Sequence, residues 1–225
     1  MRGYFVTATG TDIGKTYVST RLIEAWRNRG MRAEATKPLM SGFAEDALEQ
    51  SDAGRLLVAM GRGVTPASVS EICLHRLAPP LAPNVAMRQA GIAQSYSEIR
   101  GFVDRRLAVG AADVHLVEGA GGVMSPLTDD TLQIDLMADL RLKVILVTAP
   151  YLGSISHTLT AMDALRARGL EIAALVVSQP SPCGGEPLAF LEEVLRFRHV
   201  PALGMAHGQH AESLTLLLLQ QDAEH

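Results

Sequence analysis

Little in this sequence serves a disulfide framework, a zinc centre or a nucleic-acid surface. Its 225 residues contain two cysteines, Cys73 and Cys183. Two thiols without metal-ligand spacing are too few to staple a fold, and they point to free thiols in a reducing cytoplasm. His75, His157, His199, His207 and His210 show no convergent spacing with cysteine or acidic residues, which excludes the common zinc patterns. Aromatic side chains make up only 4 % of the chain, poor material for stacking single-stranded bases. Positive charge is not in excess either: a net charge of -4 leaves no electrostatic footprint for a polyanion. No apolar run approaches the roughly 18 residues of a membrane-spanning helix. The run LTLLLL at 214–219 suits one side of a packed C-terminal helix. The opening MRGYFVTATG enters a strand pattern at once, without the apolar region and cleavage site of a signal peptide. A cytoplasmic protein with neither a membrane nor a nucleic-acid partner is expected.

What is present suits one folded domain over residues 1–225, with 48 % hydrophobic and 20 % charged residues. Strands are predicted at YFVTA (4–8), AEAT (33–36), EICLHRL (71–77), VHLVE (114–118), KVILVTA (143–149), IAALVV (172–177) and, weakly, PALG (201–204). Helix-length amphipathic segments fall at 15–29, 52–60, 96–109, 133–140, 155–168 and 187–197. The near-continuous Val, Ile and Leu of 143–148 and 172–177 read as strands covered on both faces, the mark of a parallel sheet. Alternation of strand and helix then gives right-handed crossovers and a doubly wound, mainly parallel α/β fold. The Pro-rich LAPPLAP at 77–83 is expected as a rigid surface loop. In such a sheet, ligands collect at the carboxyl ends of the strands.

The first strand end carries ATGTDIGKT, residues 8–16. It closes like a phosphate-binding loop, but the common GxxxxGK[ST] spacing wants glycine at position 9, where Thr9 stands. A bare GKT triplet also occurs in ordinary turns with a solvated lysine. Here an apolar strand precedes it and an amphipathic helix follows, the context a phosphate loop requires. Gly14 allows backbone N–H groups to approach phosphates, and the helix N-terminus adds unpaired donors and positive dipole. Lys15 would reach the β- and γ-phosphates, and Thr16 would place its hydroxyl on magnesium.

Two further strand ends bear charge. TKPLMSG at 36–42 puts Lys37 beyond the second strand, with Pro38 stopping its continuation. A lysine there is by itself most often solvated, but Ser41 and Gly42 beside it suggest a loop that faces a ligand. VHLVEGAGG ends a buried run in Glu118 and breaks into glycines, the arrangement of a carboxylate that binds magnesium directly or through water. Asp52, in QSDAG at a helix start, is a second magnesium candidate, although alone it equally complements a helix dipole. Ser125 and Ser154 lack the GxSxG setting of a nucleophile. Helix 155–168 reads as core packing, with a dimer face as the alternative.

Taken together, TGTDIGKT, KPLMSG, SDA at 51–53, LVEGAGG with SPL, and VILVTAPYLGSISHT resemble the dethiobiotin synthetase family from residue 4 to about residue 204. The resemblance implies a phosphate-loop NTPase architecture and an ATP- and magnesium-dependent ligase that builds the ureido ring of dethiobiotin, in biotin biosynthesis, from 7,8-diaminononanoate and CO2. It implies that Lys37 and Lys15 are catalytic and that Thr16, Asp52 and Glu118 bind magnesium. Asp12, Ile13, Gly14, Lys15, Thr16, Tyr17, Asp52, Glu118, Gly119, Ala120, Gly121, Ser178 and Gln179 would contact nucleotide or metal. Thr11, Lys37, Ser41, Gly153 and Ser154 would hold the diamine substrate, the last two from the partner chain of a homodimer.

The chain departs from the family at three places. Its loop is one residue longer than the common pattern, as in the family, but begins with Ala8 where the family has glycine, a residue free to adopt positive φ. Ser178 and Gln179 replace an Asn-Asp pair that reads adenine, and MAHGQH after Gly204 lacks the usual Pro-containing stretch. Partition-type ATPase switches share the fold but carry an early second lysine where this chain has Thr9 and Gly10. Cobyrinate-amidating ligases share the loop and are expected to carry a glutaminase domain in addition. A homologue that binds without turnover is the third alternative, against which Lys15, Thr16, Lys37 and Glu118 stand.

Overall fold

A computed structural model describes residues 1–110, 112–179 and 186–223; Cys183 lies outside them. Chain order is β1 (Arg2–Ala8), α1 (Lys15–Asn28), β2 (Ala33–Thr36), β3 (Leu39–Ser41), a 3-10 segment (Glu45–Gln50), α2 (Asp52–Ala59), α3 (Pro66–Ile72), β4 (His75–Leu77), α4 (Pro83–Gln89), α5 (Tyr96–Ala108), β5 (Val114–Glu118), α6 (Gln133–Leu140), β6 (Lys143–Thr148), α7 (Ser154–Ala167), β7 (Ile172–Ser178), α8 (Pro187–Leu195), β8 (Ala202–Met205) and α9 (Glu212–Ala223).

Six strands form one sheet in the order β2-β5-β1-β6-β7-β8, with every pairing parallel. The chain leaves β1 towards β2 and β5 on one side, then crosses to β6, β7 and β8 on the other. The ends of β1 and β5 therefore lie at the reversal of strand order, where this architecture opens a crevice.

Each face of the sheet has its own core. Tyr4, Val6 and Ala8 of β1 face Val18, Leu22, Ile23 and Trp26 of α1, with Leu214 and Leu218 of α9 in the same cluster. Phe5 points the other way, among Val117, Leu146, Leu175 and Val177 and the helices α5 to α8. This two-sided burial removes the polar alternation that a half-exposed strand would show. Trp26 stacks on Tyr4 at 5.9 Å. Cys73 is buried, and burial pushes its thiol up to about 12, so it is inert at neutral pH.

Local signals correct two expectations. The strand expected over 71–77 is shortened, because Glu71 and Ile72 complete α3. A Thr65–Ser68 capping box with Pro66 at the first turn starts that helix, and Val69 and Ile72 bury one face of it. The remaining His75–Leu77 pairs with β3 in a separate two-stranded parallel sheet. Within LAPPLAP only residues 78–82 are loop, since Leu77 ends β4 and Pro83 opens α4. The C-terminal leucines do form a helix, with Leu214 and Leu218 fully buried.

His115 of β5 is fully buried, and its Nε2 lies 2.8 Å from Thr36 Oγ1. Nδ1 has no hydrogen-bond partner. Burial first, and Arg106 second, lower its pKa to about 4. The unfolded imidazole takes up a proton near 6.5 and the folded one resists until about 4, so stability falls as pH drops across that window. Urea unfolding of wild type at pH 4.5 should show a loss of about 2 kcal/mol from this group relative to pH 7. His115→Gln should lack that increment; an equal loss in the variant would contradict the assignment.

Candidate nucleotide and metal site

A cleft of about 850 Å³ opens over the carboxyl ends of β1, β2 and β5, lined by Thr11, Asp12, Lys15, Thr16, Tyr17, Lys37, Ser41, Asp52, Arg55, Ala120, Gly121, Ser125 and the 80–83 segment, among others. Its size is that of a small-molecule site.

The loop at its floor explains the unusual spacing. Ala8 is the last residue of an ordinary strand, in register with Val147, and Thr9 N–H donates to Val147 O at 3.0 Å. Positive φ is adopted later, at Asp12 (57°) and Gly14 (99°), and Gly14 is the N-cap of α1. The freedom of glycine is thus used at position 14 and not at Ala8. Ile13 anchors the loop in the core, while Thr11 and Asp12 are exposed towards the cleft. Lys15 Nζ donates to Gly10 O at 2.9 Å, tying the loop across itself. Burial first, and the neighbouring Lys37 second, lower the Lys15 pKa to about 8.

Beside the loop lies a cluster of opposite charges. Lys37 Nζ is 2.7 Å from Glu118 Oε1, 2.8 Å from Asp52 Oδ2 and 3.0 Å from Gly119 O. Thr16 Oγ1 lies 2.9 Å from Asp52 Oδ1 and 2.7 Å from Glu118 Oε1, its one proton serving either carboxylate. Lys37 is 2 % exposed and Glu118 fully buried. Burial alone would favour the neutral amine, but Glu118 and then Asp52 outweigh it and hold Lys37 protonated well above the usual lysine range. Burial likewise opposes the charge on Asp52, yet Lys37, helped by the Thr16 hydroxyl, brings its carboxyl down to about 2. Glu118 Oε2 has no hydrogen-bond partner.

Four chain segments converge here. Lys37 follows β2, and its own N–H donates to Ile72 O at 2.9 Å. Asp52 begins α2, whose N-cap Ser51 accepts from Gly54 N–H at 3.0 Å. Glu118 ends β5 in register with Val6, and Thr16 lies in the first turn of α1. Two carboxylates and a hydroxyl supply hard oxygen donors, which suits magnesium completed by water and phosphate. Among the described residues no three His, Cys, Asp or Glu side chains converge on a metal position, so any cation here depends on such additional ligands.

The remaining candidates divide. Tyr17, Ser41, Ala120 and Gly121 line the cleft, and Gly119 supplies a carbonyl to Lys37. Ser178 is fully buried at the end of β7 with its hydroxyl unpartnered; of the Ser178–Gln179 pair only Gln179 reaches the surface. Gln179 Oε1 accepts from His207 N–H at 3.4 Å, and His207 stacks on Tyr17 at 6.3 Å. Gly153 (φ 91°) caps α7, and Ser154 Oγ accepts from Tyr151 N–H at 3.0 Å; neither lines the cleft. Arg55 and Gln133 carried no motif. Arg55 lines the cleft one turn after Asp52, a spacing readable once Asp52 is chosen. Gln133 Nε2 donates to Thr7 Oγ1 and Gly122 O, both at 2.9 Å, and pins the glycine loop from a distance in sequence that no local pattern reveals.

Sheet order, loop and carboxylates together define a phosphate-loop nucleotide-binding protein, and residues 2–208 match a family model described as an AAA domain. The chain is 45 % identical over 214 residues to the ATP-dependent dethiobiotin synthetase BioD of Phenylobacterium zucineum, covering 94 % of this chain and 91 % of that one. It is 47 % identical over 181 residues to the protein of the same name from Caulobacter vibrioides, covering 80 % of each chain, and 35 % identical over 206 residues to that from Bacillus cereus, covering 91 % and 83 %. The chain belongs to the dethiobiotin synthetase family.

A Cβ at Gly54 would meet Leu48 O at 1.9 Å and Glu49 Cα at 2.8 Å, both backbone. Gly54→Ala should therefore push α2 off the preceding turn, lowering stability by about 1–3 kcal/mol in urea unfolding. Unchanged stability would show that the 48–54 turn does not fix Asp52.

Proposed function

We propose that the chain catalyses ATP- and magnesium-dependent carboxylation and ring closure of 7,8-diaminononanoate with CO2, giving dethiobiotin, ADP and phosphate. The observation that carries this reading is the convergence of Lys37, Thr16, Asp52 and Glu118 beside the phosphate loop, in a chain of this family.

One amine of the substrate attacks CO2 and loses a proton to give a carbamate. A carbamate oxygen attacks the γ-phosphorus, breaking its bond to the bridging oxygen and releasing ADP. The second amine then attacks the carbamoyl carbon, loses a proton and expels phosphate, closing the ring. Each intermediate is an oxyanion, so the protein's task is positioning and charge, with no protein nucleophile required. Lys15 holds the β- and γ-phosphate oxygens together with loop N–H groups from Asp12 to Tyr17. Lys37 stabilises the carbamate and the transferring phosphoryl group. Thr16, Asp52 and Glu118 would hold the magnesium ion, which offsets phosphate charge when bound. Thr11 and Ser41 face the diamine, and the Gly119–Gly121 backbone passes close to the nucleotide and its metal. Gln179, with the His207 and Tyr17 rings beside it, contacts the base; buried Ser178 supports that strand end.

Gly153 and Ser154 serve a second copy of the chain, receiving its substrate carboxylate at the α7 N-terminus. Support comes from the fully exposed Leu152 and the exposed Tyr151 beside that helix start, apolar surface that a homodimer would cover. The described elements are read as one domain in the cytoplasm; none of their helices is long and apolar enough to cross a membrane.

Protein supplied with diaminononanoate, bicarbonate, magnesium and ATP should yield dethiobiotin by mass. Lys37→Ala should lower kcat by about 10² or more, the scale of losing one oxyanion-stabilising donor, and leave ATP affinity measured without divalent cation within about threefold, because Lys37 acts on the transferred group. Equal loss of binding and turnover would place Lys37 on the nucleotide instead.

A further inference from the structure

Lys37 stands on the atoms that a metal would use. Its ammonium contacts Asp52 Oδ2 and Glu118 Oε1, while Thr16 contacts Asp52 Oδ1 and that same Glu118 Oε1. Both carboxylates of the candidate metal site are thus already held by a monovalent cation, with the Thr16 hydroxyl bound to the same pair. An ammonium and a divalent ion cannot share this space without strong repulsion. Nor can Lys37 leave alone, since Glu118 is fully buried and would be left as an uncompensated charge. Glu118 Oε2, buried and without a hydrogen-bond partner, offers acceptor capacity that the lysine does not use.

We propose that Lys37 and a divalent cation compete for the Asp52–Glu118 pair, so that arrival of the cation releases Lys37 into the cleft. The lysine acts as an internal counter-ion until a metal replaces it, and only then reaches the group being transferred. Its release is tied to the same event that charges the site for phosphoryl transfer. Lys37 already lines the cleft, and the released ammonium moves into that space. The identity of the cation and of the transferred group rests on the function proposed above; the competition itself does not.

Competition is reciprocal, so removing the lysine must strengthen metal binding. Mn2+ binding to the full chain at pH 8, without nucleotide and read by electron paramagnetic resonance, should be at least tenfold tighter in Lys37→Met and Lys37→Gln than in wild type, with Mg2+ displacing the Mn2+. Circular dichroism melts identify whether the variants are folded. In wild type, which needs no variant to fold, Mg2+ should raise the rate at which a small acylating reagent labels Lys37 at least fivefold, read by peptide mass. Unchanged or weaker Mn2+ binding in a folded variant, or a labelling rate insensitive to Mg2+, overturns the proposal. Dethiobiotin formation is scored separately: product without the metal effect removes the competition alone, whereas the metal effect without product supports the competition and removes the assigned reaction.

Discussion

A lysine ammonium that is 2 % exposed survives inside this protein because two carboxylates and a carbonyl surround it. Such a group is strongly unfavourable when unpaired, and so is its partner Glu118. Much of the local architecture follows from keeping them together. Pro38 ends β2 where Lys37 must turn inward. Ser51 caps α2 so that Asp52 stands at its first turn, and Gly54 lets that turn pack against Leu48 O. Gly119 presents its carbonyl to Lys37 and leaves room for Gln133, whose side-chain oxygen would lie 2.1 Å from a Cβ there.

The same charges stand at the reversal of strand order, where a doubly wound sheet leaves its crevice. Position and chemistry therefore coincide. Phosphoryl transfer requires an aligned acceptor and compensating positive charge more than a covalent group. In the proposed reaction Lys15, Lys37 and the hard oxygen donors would provide that set, whereas the one described cysteine is buried and inert.

Much of this was legible in the sequence because buried parallel strands and their ends are locally encoded. YFVTATGTDIGKT shows strand, loop and helix start in one stretch, and VHLVEGAGG places a carboxylate at a strand tip before glycines free the backbone. The unreadable parts are those decided by distant partners. LMS at 39–41 is too short for any period and is a strand only because His75–Leu77 pairs with it. TPASVSEI conceals a helix whose evidence is a capping box rather than a long amphipathic repeat. The resemblance sets Ser178 and Gln179 against a base-reading pair, and that correspondence does not reveal that β7 continues through Ser178 and buries its side chain. Ala8 looked like a defect because a motif was aligned by its first residue; the backbone turns four and six residues later, at Asp12 and Gly14.

In the proposed reaction a carbamate oxygen, and not water, attacks the γ-phosphorus beside Lys37. Oxygen-18 labelling of CO2, with the reaction quenched before exchange with solvent, tests it most directly. Phosphate released in step with dethiobiotin should carry one labelled oxygen, since the oxygen that attacked phosphorus leaves with it when the ring closes. Unlabelled phosphate formed at the same rate as ADP would mean that ATP is hydrolysed by water in this cleft, and would contradict the account.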